Sequence, residues 1–174
     1  MFEVTDKRPV LIAERDVKGA VLTLAMLRGK LLAGINTKVQ LYIWAQKDDV
    51  SNSYELKLEC SHHGHTMALF IKTRAGASGA EDVILVGDLI RSVALLQYRA
   101  EENLLEETCR DFNTNFMRAI EIIDENHFLG SEDNGNMFVL RTPGNKASFG
   151  STSLLLNDEE KCRLGKLLMV WLVV

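Results

Sequence analysis

Hydrophobic residues along this chain recur in short runs that are separated by Gly, Asn and Asp. Each run is about as long as a β-strand of roughly 5–6 residues, and many alternate apolar with polar side chains. Gly, Asn and Asp tolerate the positive φ of tight turns. The pattern therefore predicts an all-β chain. The predicted strands are Val10–Val17, Gly19–Leu27, Lys30–Ile35, Lys38–Ala45, Tyr54–Cys60, Met67–Thr73, Val83–Val86, Ser92–Arg99, Glu106–Phe112, Met117–Ile123, Phe128–Ser131 and Asn136–Arg141.

Five segments interrupt or follow this strand pattern. Asp48–Ser53, Ala75–Glu81 and Thr142–Ser153 are rich in small and polar residues and are predicted to be solvated loops. Asp158–Lys166 is predicted to be a short helix, because acids open it and basic residues close it, as the helix dipole favours. The apolar run Leu167–Val174 is much shorter than the ~20 residues of a membrane-spanning helix, so it predicts a strand or core element.

Three stretches of the chain repeat one template. A small apolar strand ends in Gly, a short polar turn follows, and a strand of large apolar residues comes next. The glycines are Gly34, Gly87 and Gly130, and they lie 53 and then 43 residues apart. This spacing is near the ~40–50-residue period of propeller blades, in which a missing Cβ lets crowded backbones approach. The repeat predicts a partial WD40-like β-propeller of about three four-stranded blades.

We expect one incomplete propeller, because a closed ring needs about four to eight blades. Open blade edges favour aggregation, so poor behaviour in isolation is predicted. The sequence leaves open whether the chain folds alone or is truncated. The expected parts are an entering hairpin at 2–17, a blade at 19–61, a blade at 66–112, a partial blade at 116–141, and a loop, short helix and divergent tail at 142–174.

Composition and charge narrow the function classes. The 174 residues carry 20 basic and 24 acidic side chains, which gives a net charge of −4. This charge does not support direct binding of a nucleic-acid phosphate backbone, although such binding stays open as an interpretation. The chain starts on charged residues without an apolar signal region, and no membrane partner is predicted. The cysteines Cys60, Cys109 and Cys162 are odd in number and irregularly spaced, which predicts reduced thiols inside the cell.

One cluster resembles a metal site in composition. Cys60, His62, His63 and His65 offer four possible ligands within six residues. Their spacing matches no standard structural zinc site, so a polar connection between blades is the favoured interpretation and no metal or cofactor is predicted. Elsewhere the chain has no nucleophile elbow, phosphate-binding loop or zinc-protease motif. We therefore expect no enzymatic activity.

Two arginines stand beside aromatic residues in predicted turns and connections. Arg91 follows Gly87 in a hairpin turn, and Arg110 precedes Phe112 and Phe116 at a connection between blades. One interpretation is that the arginines pair with nearby acids while the phenylalanines belong to the core. The other is a protein interface, because arginines and aromatics on exposed loops commonly anchor such interfaces. The residues alone favour the first interpretation and leave the second open.

These stretches carry a family resemblance. Several motifs, in the same order along the chain between about residue 2 and residue 141, resemble the family of DNA damage-binding protein large subunits. Asn157–Arg163 shows a weaker resemblance to the same family. The sister families are the cleavage and polyadenylation factor large subunit and a splicing factor 3b subunit. The motifs are Val17–Val21, Gly29–Asn36, Val86–Val93, Arg110–Asn113 and Phe128–Glu132.

The resemblance implies a segment of a large, non-enzymatic scaffold with three propellers. One propeller binds a cullin, and the other two receive the substrate receptors of a cullin-RING ubiquitin ligase that acts in DNA damage recognition and nucleotide-excision repair. Damaged DNA is reached indirectly through a partner subunit, in the nucleus and also the cytoplasm. The alternative is a nucleic-acid-binding propeller of an RNA-processing factor of the cleavage, polyadenylation or splicing type.

The resemblance also implies which side chains bind partners. The positions that line or support the receptor-binding surface are Met67, Leu69, Phe70, Arg91, Arg110 and Phe116. The chain departs from the family in having Phe116 in place of Trp and Thr66 in place of an apolar residue. Ala75–Glu81 resembles an insertion, and the sequence after Arg163 no longer follows the family.

Overall fold

A computed structural model describes residues 1–47, 54–76, 82–142 and 150–153. All regular elements of the described residues are strands, which confirms the all-β prediction. The helix predicted at Asp158–Lys166 and the tail after it lie outside the described residues, as does the loop predicted at Asp48–Ser53. The strands are β1 Phe2–Thr5, β2 Arg8–Leu11, β3 Val21–Leu27, β4 Lys30–Ile35, β5 Lys38–Gln46, β6 Tyr54–His63, β7 Ala68–Arg74, β8 Val83–Asp88, β9 Val93–Arg99, β10 Leu104–Arg110, β11 Met117–Ile122, β12 His127–Glu132, β13 Met137–Arg141 and β14 Gly150–Ser153.

The strands form a hairpin and three four-stranded antiparallel sheets. The hairpin is β1–β2, and the sheets contain β3–β6, β7–β10 and β11–β14, each in sequence order. We name these sheets blade 1, blade 2 and blade 3. Sheets built as meanders of four strands, each packed on the next through its first strands, are the blades of a propeller, so the predicted partial propeller is confirmed.

Connections alternate between two rims of the array. The upper rim holds 36–37, 64–67, 89–92, 111–116 and 133–136, and hydrogen bonds that these connections make support this grouping. The N–H of Ala68 donates to the carbonyl of Asn36, and the N–H of Asp133 donates to the carbonyl of Phe116. Among the described residues, the lower rim holds the turns at 6–7, 28–29, 100–103 and 123–126, and near it the Thr73 hydroxyl donates to the carbonyl of Met26.

The core lies between the blades. Leu32, Val39 and Leu41 of blade 1 pack with Ile71 and Val86 of blade 2 in one buried cluster. A second cluster joins blade 2 to blade 3, and Leu85 and Phe128 are fully buried in it. Because blades 1 and 2 cover each other, the side chains just named on their facing sides are all apolar. Burying one such side chain contributes about 1.5–3 kcal/mol.

A polar contact also joins blades 1 and 2. Lys30 Nζ lies 2.7 Å from Glu59 Oε2 and donates to the Tyr98 hydroxyl at 2.9 Å, and the same ammonium lies 4.4 Å from the centre of the Tyr98 ring. The Tyr98 hydroxyl donates to Glu59 Oε1 at 2.9 Å. These three partly buried side chains, which come from two blades, therefore satisfy one another's hydrogen-bonding groups.

Gly34 has the predicted role of letting neighbouring backbones approach, whereas Gly87 faces side chains, including one of the next blade. A Cβ on Gly34 would lie 2.7 Å from the carbonyl oxygen of Ala68 in blade 2, and a Cβ on Gly87 would lie 3.2 Å from Ile120 in blade 3. The third repeated glycine is shifted. In the first strand of each blade a β-bulge interrupts the pairing with the second strand. The second-strand residue that pairs directly after the bulge is Gly34 in blade 1, Gly87 in blade 2 and Ser131 in blade 3. Ser131 and not Gly130 is therefore the equivalent of the other two glycines. A shift of one residue places Gly130 on the other face of its sheet, where a Cβ would lie 2.5 Å from the Phe138 ring.

Two predicted segments differ from the structure. The strand predicted at Val10–Val17 is β2 at Arg8–Leu11, because Asp6 and Lys7 form the turn with φ of 53° and 63° without any Gly to mark it. The polar loop predicted at Thr142–Ser153 ends in β14, which pairs with β13. Pairing with a neighbouring strand outweighs the low β propensity of Gly and Ser at that edge.

Candidate interaction surface

The upper rim of blade 2 brings most of the predicted site residues together. Met67 stands directly before β7, Arg91 lies in the β8–β9 turn, Arg110 ends β10, and Phe116 stands directly before β11. Leu69 is the bulged residue of β7, half-buried, with no partner in the pairing between Ala68 and the next residue. We call residues 64–67, 89–92 and 110–116 the blade-2 rim.

Phe70 lies away from this rim. It is on β7 beneath Gly87 and packs against the cluster between blades 2 and 3. Its ring therefore contributes to blade packing, and it can support the rim only through β7. In the structure this residue is a partly buried side chain at the border of the core.

A buried carboxylate shapes the β8–β9 turn. Asp88 is fully buried, and its Oδ1 accepts hydrogen bonds from the N–H groups of Ile90 and Arg91 at 3.1 and 3.2 Å. Its Oδ2 accepts the N–H of Thr66 at 2.6 Å. Burial alone would raise the pKa of Asp88, but the neighbouring His65 and these three backbone donors lower it to about 2. One side chain thus fixes the turn and ties it to the 64–67 connection.

A second buried carboxylate ties the same turn to the next connection. Ser92 has a φ of 52°, and its hydroxyl donates to Asp111 Oδ2 at 2.6 Å. Asp111 Oδ1 accepts both the backbone N–H and the side-chain amide of Asn113, at 3.2 and 2.8 Å. The three connections of the blade-2 rim are therefore linked through short side chains, which makes their mutual placement rigid.

Both arginines donate to one carbonyl. Arg91 Nη1 lies 3.2 Å and Arg110 Nη2 lies 3.3 Å from the oxygen of Gly64. Arg110 is 7% exposed, and it also makes two bonds to the Glu107 carboxylate, at 2.8 and 2.5 Å. Arg110 thus pairs with an acid, whereas Arg91 is exposed at the rim. The first supports the rim from within, and the second is open to solvent.

The histidines of the metal-like cluster separate to different partners. His62 Nε2 lies 3.4 Å from Glu107 Oε2, His65 Nδ1 lies 3.6 Å from Asp88 Oδ2, and His63 bonds to the Ser61 hydroxyl. Burial raises the pKa of the Cys60 thiol to about 11. Within the part of the chain that the structure describes, no group of three or more His, Cys, Asp or Glu side chains is arranged to hold a metal ion.

The sequence contains a motif that indicates the contact between His65 and Asp88, although the metal-like composition of residues 60–65 obscures it. Gly64-His65 before the first strand of blade 2, with Asp88 at the end of its second strand, matches the Gly-His dipeptide that marks WD40 repeats. The side chain of His65 is completely buried against Asp88, where it links the start of blade 2 to its β8–β9 turn.

Exposed apolar residues border the arginines. Phe112 is 77% exposed and Phe116 is 56% exposed, while Leu89 is 36% exposed. A cleft of about 380 Å³ lies between the Ile90–Arg91 turn and residues 110–114. Phe112 and Leu89 were not among the predicted site residues, although Phe112 sits in the Arg110–Asn113 motif. Exposed aromatics beside an arginine are typical of protein-binding surfaces.

We predict that acid destabilises this rim in two steps. Burial lowers the pKa of His65 below its ordinary value of 6.5, so the unfolded chain takes up that proton first and stability falls as pH drops below about 6.5. Burial would raise the pKa of Glu107, but His62 and Arg110 lower it from an ordinary 4.5 to about 2, and the pKa of Asp88 is likewise lowered from 3.8 to about 2. The stability from these carboxylates is complete above about pH 4.5 and is lost toward pH 2.

Urea unfolding followed by tryptophan fluorescence at a series of pH values would measure both steps. His65→Asn should flatten the dependence between pH 7 and 5, while His127→Asn, on a partly exposed histidine of blade 3, should leave it unchanged. An equal slope in wild type and His65→Asn would contradict the assignment of the first step.

The fold and the rim define this chain as a segment of a β-propeller that presents a rigid Arg- and Phe-bearing surface. The family described as CPSF A subunit region matches residues 1–168, and the chain belongs to that family. No helix among the described residues is long and apolar enough to cross a membrane.

Named relatives are similar over most of the chain. DNA damage-binding protein 1 of Solanum lycopersicum is 47% identical over 164 residues, and DNA damage-binding protein 1a of Arabidopsis thaliana is 46% identical over the same length. The corresponding protein of Oryza sativa subsp. japonica is 44% identical. Each match covers 94% of this chain and 14% of the relative, and it confirms the family resemblance of the sequence motifs.

Proposed function

We propose that this chain is a non-enzymatic scaffold segment that binds partner proteins through the blade-2 rim. In this proposal it forms part of the substrate-receptor-binding propeller of a cullin-RING ubiquitin ligase adaptor that serves DNA damage recognition and nucleotide-excision repair. The observation that carries the proposal is the rim itself, where exposed Arg91, Phe112 and Phe116 stand on a buried hydrogen-bonded frame. The names of the relatives support a role in DNA damage binding.

The rim residues divide into contacts and supports. Arg91, Phe116 and Met67 are the predicted contacts, to which the structure adds Phe112 as a fourth exposed or partly exposed side chain. Arg110 acts as a support, because it is buried against Glu107 and Gly64. Leu69 shares the bulge of β7, and Phe70 supports it from the core below.

Damaged DNA is reached through a partner subunit in this proposal, in the nucleus and also the cytoplasm. The chain has four more acidic than basic residues, so it lacks the positive field that direct phosphate binding needs. The parts expected at 2–17, 19–61, 66–112 and 116–141, with the remainder to 174, are proposed as one incomplete propeller within a larger polypeptide.

We predict that Arg91→Glu weakens binding of a substrate-receptor protein roughly tenfold or more, because charge reversal on a rim arginine replaces attraction with repulsion. Phe116→Ala should weaken it by a similar factor through lost apolar contact. The dissociation constants would be measured by calorimetry on the chain within its longer polypeptide. Arg141→Glu, on an exposed arginine at the lower rim, is the matched control and should change nothing.

A second measurement separates the RNA-processing alternative. The chain would be titrated with single-stranded RNA and with duplex DNA over a range of salt concentrations. The scaffold proposal expects no salt-dependent affinity for either. Salt-dependent RNA binding that Arg91→Glu abolishes, together with unchanged receptor binding, would replace the proposal by the alternative.

A further inference from the structure

The β12–β13 turn at 133–136 contains the one Asn-Gly pair in the sequence, Asn134 and Gly135. All four residues of this turn are exposed on the upper rim. Gly135 has a φ of 87°, and a Cβ added to it would contact nothing within 4 Å beyond its chain neighbours. The peptide bond between Asn134 and Gly135 is therefore open to solvent, and its second residue has no side chain to shield it.

A hydrogen bond holds the Asn134 side chain over this peptide. Its Oδ1 accepts the N–H of Asn136 at 3.0 Å, which forms an Asx turn. That bond closes a short ring of atoms to which the Asn134 Cγ and the Gly135 nitrogen both belong, so the two atoms stay near each other. The Gly135 N–H donates to the Glu132 carbonyl at 3.2 Å. Because the turn is exposed, this bond opens locally at little cost in free energy.

We propose that Asn134 is a site of spontaneous deamidation, with water as the only co-reactant. Hydroxide takes the proton of the Gly135 N–H, and the nitrogen attacks the Asn134 Cγ within the same chain, which removes the entropic cost of bringing two reactants together. A C–N bond forms, the bond from Cγ to the side-chain nitrogen breaks, and that nitrogen takes a proton from water and leaves as ammonia.

Water then opens the cyclic imide that this attack produces. Breaking the new bond to Cγ gives aspartate, and breaking the original main-chain bond gives isoaspartate. One water molecule is consumed and one ammonia is released, and no atom is oxidised or reduced. Asn134 is thus replaced by a carboxylate, in isoaspartate on an altered main chain.

The turn is linked to Phe116 on the blade-2 rim. The N–H of Asp133 donates to the Phe116 carbonyl at 3.0 Å, and the N–H of Glu132 closes the turn on the Asn136 carbonyl at 2.9 Å. Isoaspartate routes the main chain through the Asn134 Cβ and Cγ, so it lengthens the turn between these two bonds. Both bonds should weaken in this product. The inference rests on the turn and not on the proposed function.

The first test measures the reaction itself. The chain within its longer polypeptide is incubated at mildly alkaline pH and digested with trypsin, and mass spectrometry follows the gain of a carboxylate. The peptide 119–141 contains Asn134 together with Asn126 and Asn136, which are internal controls. Asn134 should deamidate roughly tenfold faster than either control, because only its successor lacks a side chain. Equal rates at the three positions would overturn the proposal.

Variants place the reaction at the Asn134–Gly135 peptide. Gly135→Ala should slow the conversion roughly tenfold, because the added Cβ obstructs attack by the neighbouring nitrogen. Alanine is strained at a φ of 87°, so Asn134→Gln is the second variant. It leaves Gly135 in place and should stop the conversion, since its longer side chain closes a larger and less favourable ring. Asn136→Gln is the matched control and should leave the rate at Asn134 unchanged. An unchanged rate in Gly135→Ala would contradict attack by the Gly135 nitrogen.

Amide hydrogen exchange measures the effect on the rim. Peptides that cover 133–136 should exchange faster in the incubated protein than in fresh protein, while peptides from β9 should be unchanged. Asn134→Asp carries the same charge on an ordinary main chain, so its exchange should match that of fresh protein. If Asn134→Asp exchanges as fast as the incubated protein, the longer main chain of isoaspartate is not what loosens the turn.

Discussion

Replacing Asp88 by Ala is expected to lower the free energy of unfolding by about 3–5 kcal/mol, the range for breaking a buried charged contact. The substitution leaves the partly buried N–H groups of Thr66, Ile90 and Arg91 without their acceptor, and it removes the fully buried carboxylate that faces His65. Because these hydrogen bonds hold the β8–β9 turn in place, the distance between the Gly64 carbonyl and the Arg91 guanidinium should then vary. Urea unfolding would measure the change in stability.

The matched control for this variant is Asp133→Ala. Asp133 also pairs with an arginine on the upper rim, but both partners are more than half exposed, so a change within about 0.5 kcal/mol is expected. Asp88→Asn should fall between wild type and Asp88→Ala, because one acceptor oxygen remains. If Asp88→Ala unfolds at the same urea concentration as Asp133→Ala, the turn does not depend on Asp88.

Gly34→Ala is expected to lower stability by about 2–3 kcal/mol through overpacking between blades 1 and 2. The added methyl would lie 2.7 Å from the carbonyl oxygen of Ala68 and 2.7 Å from the Thr23 methyl. The first of these is backbone of the neighbouring blade, which is held by the bond from the Ala68 N–H to Asn36. The two blades therefore have to separate slightly, and packing along the whole contact weakens.

Gly87→Ala tests the reason for this effect. Its Cβ would meet the Phe70 ring at 3.1 Å and Ile120 at 3.2 Å, which are side chains that can shift, so a loss of about 1 kcal/mol is expected. Thermal unfolding of both variants beside wild type would show the order. Equal losses would mean that backbone contact is not what distinguishes Gly34.

The fold was largely predictable because its two main signals are local. Strand periodicity and turn residues predicted all-β structure, and the spacing of Gly34 and Gly87 predicted the blades. What failed depends on pairing between strands. The bulges of the first strands have no residue signature, so the one-residue offset of Gly130 was invisible, and Gly150–Ser153 forms a strand only because β13 offers an edge.

The candidate site was predictable in part. The position of Arg91 in a turn followed from the sequence, and the family resemblance added Met67 and Phe116. Whether an arginine is buried depends on its neighbours in space, so Arg110 could not be distinguished from Arg91 until Glu107 and Gly64 were placed beside it. The exposure of Phe112 likewise depends on how the connection leaves β10.

The alternation of connections between two rims has a practical consequence for engineering. On the upper rim of blade 2, short connections are joined to one another by buried carboxylates, so an inserted residue there would disturb a shared frame. The β9–β10 turn at 100–103 is exposed on the opposite rim. A fluorophore or an affinity tag inserted in that turn would report on partner engagement without touching the contact surface, and the same separation lets the two rims vary independently.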